Sequence, residues 1–341
     1  MKWQEYVNKL VVEAKKLDYS DDAIFIYLAY AQKLYKSKLP IIYDQVHLSL
    51  LLGYKYEYLL GVSNSPSHYY KTFYIPKKNK ELRIISEPLT SLKEIQYWIL
   101  EKILYKCKVS ANAKAYVIGR SIRDNARFHK NQNIVLTIDI KDFFPSISTD
   151  KIIGVFRRMG YSLAVSTLLA KLCSIDNGLP QGAPTSPALS NLIMYYIDKR
   201  IFGYCRSKAI RYTRYADDMT FSGDLDDNVL IGFIKDILEE AKLYIKHDKT
   251  RLRRKSQQQE VTGVVVNEKI QVARTYRKKF RQEMYFIKKY GLASHIKQIN
   301  QINPEKYLRV LIGRANFIKQ INPSDIEVDG YLKILHSYSL G

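Results

Sequence analysis

The run Arg-Tyr-Thr-Arg-Tyr-Ala-Asp-Asp-Met-Thr-Phe-Ser, residues 211–222, places two adjacent carboxylates, Asp217 and Asp218, between aromatic and β-branched residues. The flanks 210–215 and 219–222 favour strand, so we predict that the acidic pair occupies a tight turn between two short antiparallel strands. Successive strand side chains point to opposite faces, so one Asp can face a reacting centre while its neighbour supports it from the side. An ordinary acidic turn is the alternative, because Asp is a common turn residue.

The composition is that of a folded, strongly basic protein of two or three subdomains. Its 341 residues include 55 Lys plus Arg against 33 Asp plus Glu, which gives a net charge of +22, and 28 Tyr. This combination indicates a nucleic-acid partner, whose phosphates are neutralised and whose bases stack on aromatic rings. No apolar run approaches the roughly 18 residues of a membrane span, and the N-terminus does not resemble a signal peptide. We therefore expect a cytoplasmic protein with no membrane contact, and reduced thiols at Cys107, Cys173 and Cys205.

A third carboxylate, Asp139, ends a hydrophobic, β-branched stretch that begins at Asn133 and predicts a buried strand. An ionised Asp is seldom buried unless it is paired or bound to a metal, and a metal ion is the simplest explanation. Phe144 follows five residues later, near enough along the chain to line the same site. Core packing is the alternative for Phe143 and Phe144, and we expect one of the two to have only that role.

Short β patterns at 70–75 and 82–85 flank a basic turn and predict a hairpin with a cationic tip. Its basic residues are Lys77, Lys78, Lys80 and Arg83. Together they could clamp a triphosphate, with the Arg bidentate. A solvated hairpin tip is the alternative.

Further along, a helical pattern over 152–174 is followed by a Pro- and Gly-rich segment at 179–191, which opens into a helix from Ala188 to about Phe202. Proline and glycine fix an unusual backbone there, and we expect Gly182 to let a ligand approach closely. Gln181 and the loop amides are then candidates for contact with a nucleotide. A purely structural loop is the alternative.

The order of these parts resembles the fingers and palm of reverse transcriptases. A basic hairpin, a strand that ends in Asp, Leu-Pro-Gln-Gly at 179–182 and Tyr-Ala-Asp-Asp at 215–218 follow one another within residues 70–270. The resemblance implies an α+β right-hand polymerase with fingers, an antiparallel palm sheet and a helical thumb. It also implies RNA-directed DNA synthesis at the carboxylates of Asp139, Asp217 and Asp218.

The same resemblance implies the cofactor and the substrate contacts. Asp139 and Asp217 would bridge two Mg²⁺ ions, for which Mn²⁺ is a possible substitute, and Asp218 would support them. The incoming deoxynucleoside triphosphate would be held by Arg83 with Lys78 or Lys80. Gln181 would lie beside the nascent base pair, and Phe144 would be the steric gate that excludes a ribose 2′-OH.

Two short motifs point to the bacterial retron reverse transcriptases: Asn-Ala-x-x-His at 125–129 and Val-Thr-Gly at 261–263. The resemblance implies that the protein copies part of its own structured noncoding RNA into single-stranded DNA (msDNA), primed from a 2′-OH of that RNA. It also implies an RNA–DNA hybrid as partner, a defence effector protein, a role in antiphage defence and a need for host RNase H. The expected contacts with RNA or DNA are Asn125, His129, Val261, Thr262 and Gly263. For His129 a helix-stabilising role fits equally well.

The segment 246–341 carries 20 Lys plus Arg against eight acids, more than half of the net charge. We predict a basic helix over 275–290 within a helical thumb that grips a duplex with strong salt dependence. Its expected nucleic-acid contacts, with the preceding Lys249, are Arg277, Lys278 and Arg281. The predicted organisation is an N-terminal helical region (1–68), fingers with part of the palm (69–130), a palm (131–272) and a basic helical thumb (273–341).

Two other functions remain open at this point. A group II intron-like or abortive-infection reverse transcriptase would have the same palm, and its nucleic acid would distinguish it. A non-catalytic RNA-binding scaffold of a defence complex would be expected to have lost an acid, whereas Asp139, Asp217 and Asp218 are all present.

Overall fold

A computed structural model describes residues 2–76, 81–299 and 303–338 of the chain. The backbone divides into two compact units, each assembled from three chain segments. The first unit comprises 1–117, 140–200 and 235–245, and the second comprises 118–139, 201–234 and 246–341. The units interleave along the sequence, whereas the four predicted regions follow one another, and that four-part division stays a prediction.

The elements alternate between long helical stretches and short strands. The helices are α1 (Trp3–Lys16), α2 (Asp21–Lys36), α3 (Gln45–Leu52), α4 (Tyr56–Asn64), α5 (Thr90–Lys102), α6 (Ile122–Phe128), α7 (Thr149–Met159), α8 (Leu163–Leu172), α9 (Ser186–Ile193), α10 (Tyr195–Ser207), α11 (Asp227–Glu240), α12 (Arg274–Tyr290), α13 (Leu292–Gln298), α14 (Pro304–Ile321) and α15 (Ile326–Ser337). The strands are β1 (Tyr70–Pro76), β2 (Leu82–Pro88), β3 (Ile134–Asp139), β4 (Arg211–Tyr215), β5 (Asp218–Gly223), β6 (Arg251–Arg254), β7 (Glu260–Val261), β8 (Val264–Val265) and β9 (Gln271–Val272).

The first unit is mainly helical and contains the antiparallel hairpin β1–β2, which confirms the predicted fingers hairpin. The helical pattern predicted over 152–174 is confirmed and comprises two helices, because α7 ends just before Gly160 and α8 begins after Ser162. Gly160 adopts φ +111°, a conformation that ends a helix readily only at glycine. The hydroxyl of Ser162 accepts a hydrogen bond from the Val165 amide and caps the next helix.

The second unit contains a four-stranded sheet in the order β4-β5-β3-β6, and every neighbouring pair of its strands is antiparallel. The predicted strands on both sides of the acidic pair, and the predicted strand that ends in Asp139, are confirmed. One face of the sheet is mainly apolar and includes Tyr212 and Phe221, whose rings stack with centroids 5.0 Å apart. The opposite face carries Asp139 and Asp218 together with Thr213, because paired residues share a face and successive residues alternate.

A small sheet, β7-β8-β9, and the helices α12 to α15 share one apolar core within the second unit. Strands β7 and β8 form a hairpin that contains the Val-Thr-Gly motif, and β9 adds a third strand. Helix α12 confirms the basic helix predicted over 275–290 and buries Phe280, Met284 and Ile287 in that core. The predicted α+β class with an antiparallel palm sheet and a helical C-terminal region is confirmed.

The cysteines Cys107, Cys173 and Cys205 are free thiols, as predicted. Within the described residues, no helix combines the length and the apolar character that a membrane span requires.

Candidate active site

The three predicted carboxylates come together at one end of the palm sheet in the second unit. Asp139 is the last residue of β3 and pairs directly with Asp218, the first residue of β5. Side chains of directly opposed residues lie on one face with Cβ atoms about 5 Å apart. Asp217 stands next to them in the two-residue turn between β4 and β5.

The backbone of that turn is strained, and a side-chain hydrogen bond stabilises it. Ala216 adopts φ +59°, a left-handed conformation that costs a residue with a Cβ about 1–2 kcal/mol. The fully buried Arg214 donates a hydrogen bond from Nη1 to the carbonyl oxygen of Ala216 at 3.0 Å. Because a charged donor makes a strong hydrogen bond in a buried setting, Arg214 holds the turn that presents Asp217. No sequence pattern indicates this role of Arg214, since an Arg in a strand is normally a surface residue.

Three carboxylates and one lysine determine the electrostatics at this end of the sheet. Burial raises the pKa of Asp218 to about 7, and the neighbouring charges of Asp217 and Asp139 add to the increase. Asp139 is buried, and its Oδ2 lies 2.9 Å from the ammonium nitrogen of Lys249. Burial lowers the pKa of Lys249, but its hydrogen bond to Asp139 and the three carboxylate charges outweigh that effect and raise it. The site is therefore anionic and only partly neutralised by the protein.

Lys249 lies beside the carboxylates of the palm. We expected this lysine to contact RNA or DNA, and the structure brings it to Asp139, 110 residues earlier in the chain. The short helical turn His247–Lys249 before β6 places it there. Its side chain is still 52% exposed, so the contact with nucleic acid stays a prediction.

The donor set at this site suits a hard divalent cation. Mg²⁺ takes few carboxylates and completes its shell with water and phosphate oxygens, which agrees with three aspartates and no soft ligand. Among the described residues, no three His, Cys, Asp or Glu side chains are already arranged around a common point as a metal cage.

Three of the predicted nucleotide-binding residues, Arg83, Phe144 and Gln181, lie in the first unit, where main-chain hydrogen bonds connect the segments that carry them. The amide of Ser86 in β2 donates to the carbonyl of Gln181 at 2.8 Å, and the amide of Leu179 donates to the carbonyl of Phe144 at 3.1 Å. Arg83 is exposed on β2. These bonds bring the fingers hairpin, the Leu-Pro-Gln-Gly loop and the Phe143–Phe144 segment together. Lys78 and Lys80 lie outside the described residues.

Gly182 packs closely against strand β2. A Cβ on Gly182 would lie 2.9 Å from the carbonyl oxygen of Ser86, and its φ of +127° also favours glycine. Strand β2 therefore accounts for a glycine at this position, and the close approach of a ligand stays a prediction.

Of the two adjacent phenylalanines, Phe143 is buried and Phe144 is only partly buried, which agrees with one of them serving only in packing. Phe144 contacts the ring of Tyr116, with centroids 6.3 Å apart. Tyr116 is half exposed and adopts φ +59°, and the next residue back, Ala115, accepts a hydrogen bond from the buried Asn191 at 2.9 Å. An exposed aromatic residue held in a strained conformation is typical of functional sites. No sequence signal indicates Tyr116, because nothing in the local pattern places it beside Phe144.

The residues of the two retron motifs lie together in the second unit. Asn125, His129 and Val261 are fully buried, and the first two bond to Thr213 of the palm. This burial contradicts the predicted contact of these three side chains with RNA or DNA. Thr262 and Gly263 form the turn between β7 and β8, with φ +48° and +78°, and Gly263 is exposed.

Some basic residues of the thumb helix α12 form ion pairs within the protein. Arg277 and Arg281 both form ion pairs with Glu327 at the start of α15, at 2.8 and 2.7 Å. Lys278, between them in sequence, is exposed. The first two therefore fasten α12 to α15, and Lys278 remains a candidate contact for nucleic acid.

The opposed palm aspartates and the third in the connecting turn lie within a region that matches a known family. A family model described as "Reverse transcriptase (RNA-dependent DNA polymerase)" matches residues 75–266, more than half of the chain. The chain belongs to this family and is an RNA-directed DNA polymerase. Its curated relatives are retron enzymes, which confirms the predicted membership in the bacterial retron reverse transcriptases.

Three relatives illustrate the similarity. The Retron Ec86 reverse transcriptase of Escherichia coli is 39% identical over 223 residues, covering 64% of this chain and 70% of the relative. The Retron Ec83 reverse transcriptase of Escherichia coli is 31% identical over 288 residues, covering 78% and 87%. The Retron Mx65 reverse transcriptase of Myxococcus xanthus is 30% identical over 302 residues, covering 82% and 68%.

Proposed function

We propose that the protein copies part of a structured noncoding RNA into msDNA, by nucleotidyl transfer at Asp139, Asp217 and Asp218. The observation that carries this proposal is the direct pairing of Asp139 with Asp218 beside the turn that contains Asp217. Three carboxylates at one end of the sheet repel one another, and Lys249 neutralises them only in part, which supports a cationic ligand at this site.

We propose that Asp139 and Asp217 hold two Mg²⁺ ions, with Asp218 supporting them. When bound, the ions lower the pKa of the attacking hydroxyl and neutralise the leaving pyrophosphate. The protein's part is to hold its carboxylates on a rigid support and to keep Lys249 close by as a mobile counter-charge. The raised pKa of Asp218, which reflects burial and two neighbouring carboxylates, supports a site built for cations.

Nucleotide selection is assigned to the first unit in this proposal. Arg83 binds the triphosphate, Gln181 lies beside the new base pair, and Phe144 excludes the ribose 2′-OH. The half-buried position of Phe144, against the strained Tyr116, supports a gate whose ring is held from behind.

The retron-specific part of the proposal rests on the names of the relatives and on the two motifs. In it, synthesis is primed from a 2′-OH of the template RNA, the RNA–DNA product stays bound, and an effector protein joins the complex in antiphage defence. The basic surface that includes Lys278 supports a bound duplex.

The test is to purify the full chain from cells that also express its neighbouring noncoding RNA and to extract the bound nucleic acid. We expect DNA joined to RNA through a linkage that a debranching enzyme cleaves. The matched control is Asp217→Asn, which should retain the RNA and contain no DNA. DNA without a branch would contradict 2′-OH priming, and RNA without DNA in the wild type would indicate a non-catalytic scaffold.

A further inference from the structure

A buried polar network in the second unit joins helix α6 to both strands of the catalytic hairpin. The ring of His129 is fully buried. Its Nδ1 lies 2.7 Å from Ser222 Oγ on β5, and its Nε2 lies 2.7 Å from Thr213 Oγ1 on β4. Thr213 Oγ1 in turn donates to Asn125 Oδ1 at 2.5 Å. One imidazole therefore bridges the two strands that flank the turn with Asp217.

The hydrogen-bond directions in this network follow from the proton count. A hydroxyl has one hydrogen, and Thr213 gives its hydrogen to Asn125, so it must accept from Nε2–H of His129. In a neutral imidazole the other nitrogen is then an acceptor, and Nδ1 accepts from the Ser222 hydroxyl. Asn125 Nδ2 points to Thr262 Oγ1 at 3.5 Å. The chain of bonds thus runs in one direction, from Ser222 on β5 to Asn125 on α6.

The network lies on the same face of the palm sheet as the catalytic carboxylates. Ser222 follows Asp218 by four residues on β5, and Thr213 precedes Tyr215, the partner of Asp218, by two residues on β4. Even spacings along a strand keep side chains on one face. His129 therefore fixes the hairpin from the face that carries Asp218, a short distance behind the turn.

The same network reaches a second strained turn. Thr262 adopts φ +48°, which is unfavourable for a β-branched residue. Its hydroxyl faces the amide of Asn125. The Val-Thr-Gly turn and the palm hairpin are thus connected through one buried asparagine.

We propose that His129 and Asn125 are positioning residues, which hold β4 and β5 in the arrangement that brings Asp217 and Asp218 to Asp139. Their burial keeps them from touching substrate, so they act through the strands. A fully satisfied buried network favours one arrangement of the elements that it joins, because every alternative leaves polar groups unpaired. This inference rests on the proposed catalytic role of the three aspartates.

The test compares Thr213→Val, which removes the hydroxyl and keeps the shape, with Thr213→Ser, which keeps the hydroxyl. For Thr213→Val we expect kcat to fall on the order of tenfold to a hundredfold, as for a small misplacement of reacting groups. The KM for deoxynucleotide and the Kd for template RNA should stay within about twofold, since neither contact is lost. The Mg²⁺ concentration for half-maximal rate should rise, and Thr213→Ser should restore both values. Asn133→Ala, which removes an exposed hydrogen bond to Asp224 at the other end of β3, is the control.

Equal activity of Thr213→Val and Thr213→Ser would overturn the positioning role. The positioning role would also be overturned if activity fell only in proportion to the amount of folded protein while the Mg²⁺ concentration for half-maximal rate stayed unchanged. Asp217→Asn separates this inference from the function on which it rests. If Asp217→Asn retains DNA synthesis, the proposed function is wrong. If Asp217→Asn abolishes DNA synthesis and Thr213→Val has no effect, only the role of the network is wrong.

If Thr213→Val does not fold, Ser222→Ala breaks the same network at its other end, and the same readouts apply. The wild-type chain offers an independent measurement. Nitrogen NMR of histidine-labelled protein should show His129 as the neutral Nε2–H tautomer with Nδ1 hydrogen-bonded. A ring with the hydrogen on Nδ1 would contradict the proposed bond directions.

Discussion

The palm hairpin β4–β5 and the fingers hairpin β1–β2 are both short antiparallel pairs, yet they differ in what surrounds them. In the palm hairpin, Thr213 and Phe221 are at most 1% exposed, whereas Tyr74 and Ile84 of the fingers hairpin are 61% and 55% exposed. A two-stranded hairpin with little burial is marginally stable, and a hairpin inside a larger sheet is rigid. The palm hairpin is thus suited to hold catalytic charge in place, and the fingers hairpin is suited to adapt to a ligand.

The largest effect should come from the palm turn. Asp217→Asn is expected to reduce DNA synthesis to background, because it removes a metal-binding charge from a rigid support. RNA binding, measured by a filter or fluorescence assay, should change little because the basic surfaces are intact. Polymerisation by this variant at a rate near wild type would contradict the assignment of the catalytic site.

Substitutions in the two hairpins should change the free energy of unfolding by different amounts. Phe221→Ala removes a fully buried ring and should lower the free energy of unfolding by about 3–5 kcal/mol. Ile84→Ala in the exposed fingers hairpin should cost less than about 1 kcal/mol. Urea denaturation of both variants measures the difference, and similar costs would show that the fingers hairpin is as firmly held as the palm.

The first unit should affect selectivity more than the rate of synthesis. Phe144→Ala is expected to raise ribonucleotide relative to deoxyribonucleotide incorporation by about tenfold to a hundredfold, the range for removing contacts in a substrate pocket. Tyr116→Ala should give a smaller change in the same direction, because it removes the ring behind the gate. Single-nucleotide extension with each substrate measures this ratio, and an unchanged ratio in Phe144→Ala would remove the gate assignment.

The smallest change in stability is expected from the ion pairs of the thumb. These pairs are partly exposed, whereas the polar network of the palm is buried. Hydrogen bonds from Arg281, partly opposed by burial and supported by Arg277, lower the pKa of Glu327 to about 2. A carboxylate whose pKa is lower in the folded state stabilises the protein above its unfolded pKa of about 4.3. That stabilisation is lost as the pH falls from there towards 2.

Glu327→Gln should therefore lower stability near neutral pH by no more than about 1 kcal/mol, because exposed pairs are screened. The difference from wild type should shrink below pH 4. Urea denaturation across this pH range provides the measurement. Glu305→Gln, which breaks an exposed pair with Arg309 on α14, is the matched control and should have no effect at any pH. A difference that is constant with pH would contradict the ion-pair explanation.

The sequence predicts those parts of the fold and of the candidate site in which residue type and local periodicity indicate the same structure. The acidic turn, the strand that ends in Asp139 and the basic helix α12 follow from residue type and periodicity alone. The helical pattern over 152–174 likewise follows from periodicity, and Gly160 ends the first of its two helices.

The remaining features depend on contacts between residues that are distant in the chain. His129 meets its two hydroxyl partners 84 and 93 residues later, so its burial has no local signal. Lys249 looks like part of a basic surface run, and only the pairing of β3 with β6 reveals that it lies at Asp139. Gly182 likewise owes its conformation to strand β2. Tertiary packing determined each of these positions.

The order of strands in the palm sheet also governs how the chain must fold as it is made. Strand β3 is central, and both its neighbours, β5 and β6, come later in the sequence. At synthesis rates of 5–20 residues per second, the apolar β3 waits about 4 to 16 s for β5 to emerge from the ribosome. During this interval its unpaired edges are open to aggregation. Productive expression should therefore depend on a chaperone that binds nascent chains, and slower synthesis between residues 140 and 217 should lower the yield.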